Sequence, residues 1–114
     1  MDSVEIKGRK FTFKAPTAWD GCAIFNMLTA YDIPFGASWL VGMESVKRPM
    51  PPKELETFLR LCLKNCYEEL PDEPAPVVDE DGGIGIIGGS SPLLTQIASQ
   101  YISFFLDWWR AENS

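Results

Sequence analysis

Ser91-Pro92-Leu93-Leu94-Thr95-Gln96-Ile97-Ala98-Ser99-Gln100-Tyr101-Ile102-Ser103-Phe104-Phe105-Leu106-Asp107-Trp108-Trp109 is the stretch on which the fold turns. Ser91 suits the capping position of a helix, and Pro92 suits the first helical position, where its missing N–H is no loss. Leu94, Ile97, Ala98, Tyr101, Phe105 and Trp108 recur at steps of three and four, which predicts a helix over 92–110. At about 100° per residue, adding Leu93, Ile102, Phe104, Leu106 and Trp109 widens the apolar arc to roughly 220°. Gln96, Ser99, Gln100, Ser103 and Asp107 hold the remainder. A helix docked on one core needs little more than about 100° of apolar surface. The excess is mostly aromatic and lies near the end of the helix. Ile102, Phe104, Phe105, Leu106, Trp108 and Trp109 are therefore the candidate partner-binding residues. Ile102, Leu106 and Trp109 share a flank expected to be accessible, so Trp109→Ala is expected to leave thermal stability nearly unchanged.

Upstream, 71–91 reads as a loop, acidic at Asp72, Glu73, Asp79, Glu80 and Asp81, then glycine-rich from Gly82 to Gly89. Val77-Val78 and Ile84 to Ile87 suit either two short strands or segments that dock when a partner arrives. Before it, Leu55, Phe58, Leu59, Cys62, Leu63, Cys66 and Leu70 form a helical stripe over 53–70, with Glu56–Arg60 and Lys64–Glu68 as four-residue ion pairs. Lys47 to Pro52 reads as a proline-stiffened linker and Ala37 to Met43 as a short helix. Thr17 and Asp20 have capping-box spacing at the start of a helix over 17–31. Its apolar residues Trp19, Cys22, Ile24, Phe25, Met27 and Leu28 fall on nearly every side. Such a helix is central, or shared with another subunit. At the N-terminus, Val4 to Lys7 and Lys10 to Phe13 flank Gly8-Arg9, a hairpin over 4–13 with a type II′ turn. Pairing Lys7 with Lys10 sets Ile6 opposite Phe11 and Val4 opposite Phe13, all on one face. The expected fold is α+β, mainly α: a hairpin packed on three to four helices within a single domain over 1–114.

The 114-residue chain carries a net charge of −6, unevenly spread. Up to Lys64 it sums to +2; the remainder sums to −8, with no Lys or Arg between Asn65 and Trp109. Direct nucleic-acid binding depends on clustered cations that displace counterions, and is not expected. The three cysteines, the lack of a signal-peptide core at Met1-Asp2-Ser3-Val4-Glu5 and the lack of a long apolar run point to the cytoplasm and away from a membrane.

Motifs that suggest chemistry fail on context. Gly83-Ile84-Gly85-Ile86-Ile87-Gly88 matches the dinucleotide fingerprint, but that fingerprint needs a second parallel strand after its helix, and here the sequence stops at the end of that helix. Cys62 and Cys66 are four apart, but a zinc site needs about four ligands and histidine is absent. Asp79-Glu80-Asp81 opens like a calcium loop, then lacks the third acidic ligand and the closing glutamate. With no histidine as a general base, and with acids crowded in a solvated loop, no catalytic, cofactor or metal site is expected.

Taken in order, the chain has the hairpin Val4 to Phe13, the Pro16-Thr17 helix, a linker, the Pro51-Pro52-Lys53-Glu54-Leu55 helix, an acidic glycine-bearing stretch, and a helix ending Phe104-Phe105-Leu106-Asp107-Trp108-Trp109. This layout resembles the tail assembly chaperones of long-tailed bacteriophages. The resemblance implies a non-enzymatic protein of the host cytoplasm that coats the tape measure protein, helps recruit tail tube subunits, self-associates along its client and is absent from the virion. It also implies a longer frameshifted product. The Gly82 to Gly89 run is not a feature of that family. The acidic C-terminal portion supports an alternative, a small acidic inhibitor or DNA mimic that binds a host nucleic-acid enzyme.

Overall fold

Alternation of apolar and polar residues at the N-terminus produces strands β1 (Ser3–Ile6) and β2 (Arg9–Phe13), joined by a tight turn. The computed structural model describes residues 2–30, 51–79 and 91–112. The turn is Lys7-Gly8 and not Gly8-Arg9: both residues have positive φ, 53° and 77°, the requirement of a type I′ turn. Ile6 therefore pairs with Arg9 and Val4 with Phe11. Each β1 residue faces a partner two positions earlier than expected. A shift of two preserves the pleat, so Val4, Ile6, Phe11 and Phe13 still share one face, as the sequence implies.

Helix α1 (Ala18–Ala30) begins where the cap spacing places it: the Asp20 backbone N–H donates to Thr17 Oγ1 at 3.3 Å. Its buried residues are Gly21, Ile24 and Leu28, while Trp19 and Cys22 are exposed. Its core contact is thus one-sided. Helix α2 (Pro52–Leu63) is shorter than the expected 53–70. Asn65 closes it, the backbone N–H donating to the Cys62 carbonyl at 3.3 Å and Nδ2 to the Leu61 carbonyl at 3.0 Å. Beyond this cap the chain is extended as β3 (Cys66–Glu68), which pairs antiparallel with β2, Phe13 opposite Cys66 and Phe11 opposite Glu68. β4 (Ala75–Pro76) then pairs antiparallel with β3. The sheet order is β1-β2-β3-β4. Hydrogen bonding to a strand some fifty residues away overrides the local helical stripe. The Glu56–Arg60 ion pair forms at 2.9 Å, but Lys64 reaches Asp20 of α1 at 2.6 Å and Glu68 is taken by Arg9.

Helix α3 (Ser91–Glu112) packs against α2 and the β1–β2 hairpin. Its Ile97, Ala98, Tyr101, Ile102 and Phe105 are fully covered, and they meet Phe11, Phe13, Ile24, Phe58, Cys62, Leu63, Cys66 and Val77 in one core. Tyr101 lies edge-on to Phe13 at 5.6 Å, and its hydroxyl donates to the Lys14 carbonyl at 3.1 Å. The architecture is α+β, mainly α. The wide apolar arc reflects a helix enclosed by neighbours over much of its circumference. Even Ser99, expected on the solvent side, is buried. The suggested helix at Ala37 to Met43, the linker from Lys47 to Met50, the Gly82 to Gly89 run and the possible strand at Ile84 to Ile87 lie outside the described residues.

Candidate functional site

The six aromatic and aliphatic candidates on α3 divide into two groups. Ile102, Phe105 and Leu106 are core residues, at 0%, 0% and 6% exposure. This corrects the expectation of an accessible flank through Ile102 and Leu106: that flank points into the protein, because α3 is covered on both sides of its central stripe. Phe104, Trp108 and Trp109 are part-exposed. Phe104 leans on Phe13 at 5.8 Å and Tyr101 at 5.6 Å. Trp109 stacks on Phe25 of α1, centroids 4.7 Å apart and planes 11° from parallel. Trp108 lies over Gly21, where a Cβ would come 3.5 Å from Pro16 Cγ and 3.6 Å from Trp108 Cζ3. The result is a part-exposed aromatic cluster on α3, with Trp108 and Trp109 at the junction with α1 and Phe104 beside the β2 residue Phe13.

Two further features were not singled out from sequence. Trp19, in the first turn of α1, is 87% exposed; Leu70, at 46%, is the other exposed large apolar side chain among the described residues. A groove of about 270 Å³ runs along α2, lined by Pro52, Leu55, Leu59, Leu63, Val78 and Leu94, with Glu56 and Arg60 at its lining too. The periodicity of Leu55, Leu59 and Leu63 is visible in the sequence. That Leu94 and Val78 complete a trough is a tertiary fact.

Several charged groups among the described residues pair with one another. Arg9 makes a two-pronged contact with Glu68, Nε to Oε2 and Nη2 to Oε1 both at 2.8 Å, and lies 5.7 Å from the centre of the Phe11 ring. The Arg9 hydrogen bonds hold the Glu68 carboxyl below its ordinary value, against the opposing effect of burial. Thr12 Oγ1 donates to Glu69 Oε1 at 2.8 Å, and Lys10 approaches the same carboxylate at 3.5 Å. On the outer sheet face Lys14 sits 4.5 Å above the Tyr67 ring, beside a shallow cavity lined by Thr12, Glu69, Leu70 and Pro74.

Cys62 and Cys66 are buried and desolvation pushes both thiols up, which makes them packing groups at neutral pH. Among the described residues no group of three or more Cys, Asp or Glu side chains is placed to hold a metal ion. Among them, too, no helix is long and apolar enough to cross a membrane. No protein-family model, curated protein or solved structure matches the chain.

Proposed function

We propose that this protein is a non-enzymatic chaperone of phage tail assembly that holds the tape measure protein in the host cytoplasm and helps recruit tail tube subunits. The observation that carries the reading is the aromatic cluster. Phe104, Trp108 and Trp109 pack on Phe13, Gly21 and Phe25, yet each stays part-exposed. Pre-ordered aromatic rings lose little entropy on binding and dominate the energetics of protein interfaces. Such a cluster suits the apolar positions of a long helix, and the chain's net charge of −6 favours solubility of the loaded complex. The acids Glu68 and Glu69 are bound by the hairpin cations Arg9 and Lys10, which weighs against an open array of carboxylates mimicking DNA.

The test is a tagged pull-down from cells that naturally express the protein, read by mass spectrometry at low and high salt. Recovery of a very long helical protein with tail tube subunits, retained at high salt, supports the chaperone. Recovery of a basic nuclease or polymerase that is lost at high salt replaces it with the acidic inhibitor.

A further inference from the structure

The sheet ends in two outer strands, β1 and β4, and their edges differ. β4 is Ala75–Pro76, preceded by Pro74, and a proline lacks the N–H that a further strand would need. β1 (Ser3–Ile6) holds no proline and pairs on one side only, with β2. Across the two-residue turn Ile6 and Arg9 form a hydrogen-bonded pair, and bonded pairs then alternate with non-bonded ones. Val4 bonds with Phe11, and the Phe13 N–H donates to the Asp2 carbonyl at 2.7 Å. Ser3 and Glu5 fall in the non-bonded pairs between these. Their N–H and C=O groups therefore point away from β2, and among the described residues none of those groups is hydrogen-bonded.

The side chains beside this edge specify what fits it. Ser3 and Glu5 lie on the outer sheet face; Val4 and Ile6 lie on the inner one, Ile6 buried and Val4 part-buried against the core. Glu5 is the one charged side chain of β1, and it is exposed. Its cross-strand neighbour is Lys10, but Lys10 reaches Glu69 at 3.5 Å, and among the described residues Glu5 has no ion pair.

We infer that the β1 edge takes an extended segment of another protein as a further, antiparallel strand of the sheet. Antiparallel pairing continues the rest of the sheet and is the more stable arrangement per residue. Alternation decides the chemistry of the segment. Opposite Glu5 stands a lysine or arginine; opposite Val4, a valine or isoleucine that extends the core; opposite Ser3, a threonine or serine. β1 itself carries no cation, so a second copy of this strand does not answer Glu5. The contact does not rest on the chaperone reading, whose partner is held at the aromatic cluster. A ladder this short is weak alone, with a dissociation constant on the order of 1 mM for an isolated peptide.

The probe is a capped peptide that alternates valine with lysine and threonine, titrated into the full chain and followed by NMR of the backbone amides. In the free protein the Ser3 and Glu5 amides should exchange fast and those of Val4 and Ile6 slowly. At about 5 mM peptide, exchange at Ser3 and Glu5 should slow by about sixfold. Glutamate in place of the peptide's lysine should weaken binding by about fivefold, and Glu5→Lys should reverse that order. Ser3→Pro removes an outward donor without touching a bond to β2, so the fold should hold while binding falls by about tenfold. Should Ser3→Pro fail to fold, the peptide supplies the same test. Methylating its lysine and threonine nitrogens, which face β1, should abolish binding, and methylating its valine nitrogens should not. Shifts centred away from β1, indifference to the charge swaps, any other dependence on methylation, or no binding would overturn the inference. So would a free protein that is dimeric and already protected at Ser3 and Glu5, since a second copy would then hold the edge.

Discussion

Replacing Trp109 by alanine separates an anchored aromatic cluster from a loose one. A fully buried tryptophan covers about 150–250 Å². Trp109 is part-buried, stacked on Phe25 at 4.7 Å and flanked by Phe105 at 5.7 Å and Trp108 at 6.2 Å. Taking half of that area, about 100 Å² at roughly 25 cal/mol per Å² amounts to about 2.5 kcal/mol. The offset stack adds about 0.5–1.5 kcal/mol. The expected loss is therefore near ~3 kcal/mol. For a chain of this length the unfolding entropy is about 0.24 kcal/mol/K, so the melting temperature should fall by about 12 °C. Circular dichroism or calorimetry reads this directly. Trp19→Ala is the matched control: an 87% exposed ring contributes little to folding, and the change should stay within about 0.5 kcal/mol, or about 2 °C. A Trp109→Ala protein melting within about 2 °C of wild type would refute the stacked geometry and restore the freely accessible Trp109 that the helical pattern alone suggests.

Three other perturbations probe the scaffold that holds this cluster. Gly21→Ala should stabilise the fold by about 0.5–1 kcal/mol, because the added methyl meets Pro16 and Trp108 at ordinary contact distances while the helix gains propensity; a lower melting temperature would place Trp108 closer than described. Glu68 has a folded pKa below its ordinary 4.5, so its contribution is present above that value and is lost as pH falls through the folded value. Stability of the wild type should therefore drop in acid more steeply than that of Glu68→Gln, which at neutral pH should be less stable by about 1–2 kcal/mol since Arg9 is left part-buried without its carboxylate; parallel pH profiles would contradict the pairing. Tyr101→Phe removes the donor to the Lys14 carbonyl and should cost about 1 kcal/mol in denaturant titrations, with no loss if that hydroxyl is solvated instead.

Several features were legible because they are local. Strand alternation in Val4 to Phe13 set the hairpin's faces, and they survived a misplaced turn since the shift was even. The distinction between Gly8-Arg9 and Lys7-Gly8 lay in a positive φ at Lys7, a conformation that a non-glycine side chain does not advertise. Cys66-Tyr67-Glu68 continued a helical stripe, and the available stop signal, Asn65 after Lys64, was a single polar residue. Nothing local says that β2 lies alongside to receive it.

The same division holds for the candidate site. That the last helix is amphipathic over an unusually wide arc, that its aromatics cluster at one end, and that the acids outnumber the bases toward the C-terminus are properties of order and spacing, readable along the chain. Which part of that arc is covered depends on the packing of distant elements. Ile102, Phe105 and Leu106 went to the core, Phe104, Trp108 and Trp109 were left at its rim, and Trp19 was left standing in solvent. Burial depends on which elements meet across the chain, and a helical period records a face without naming what will pack against it.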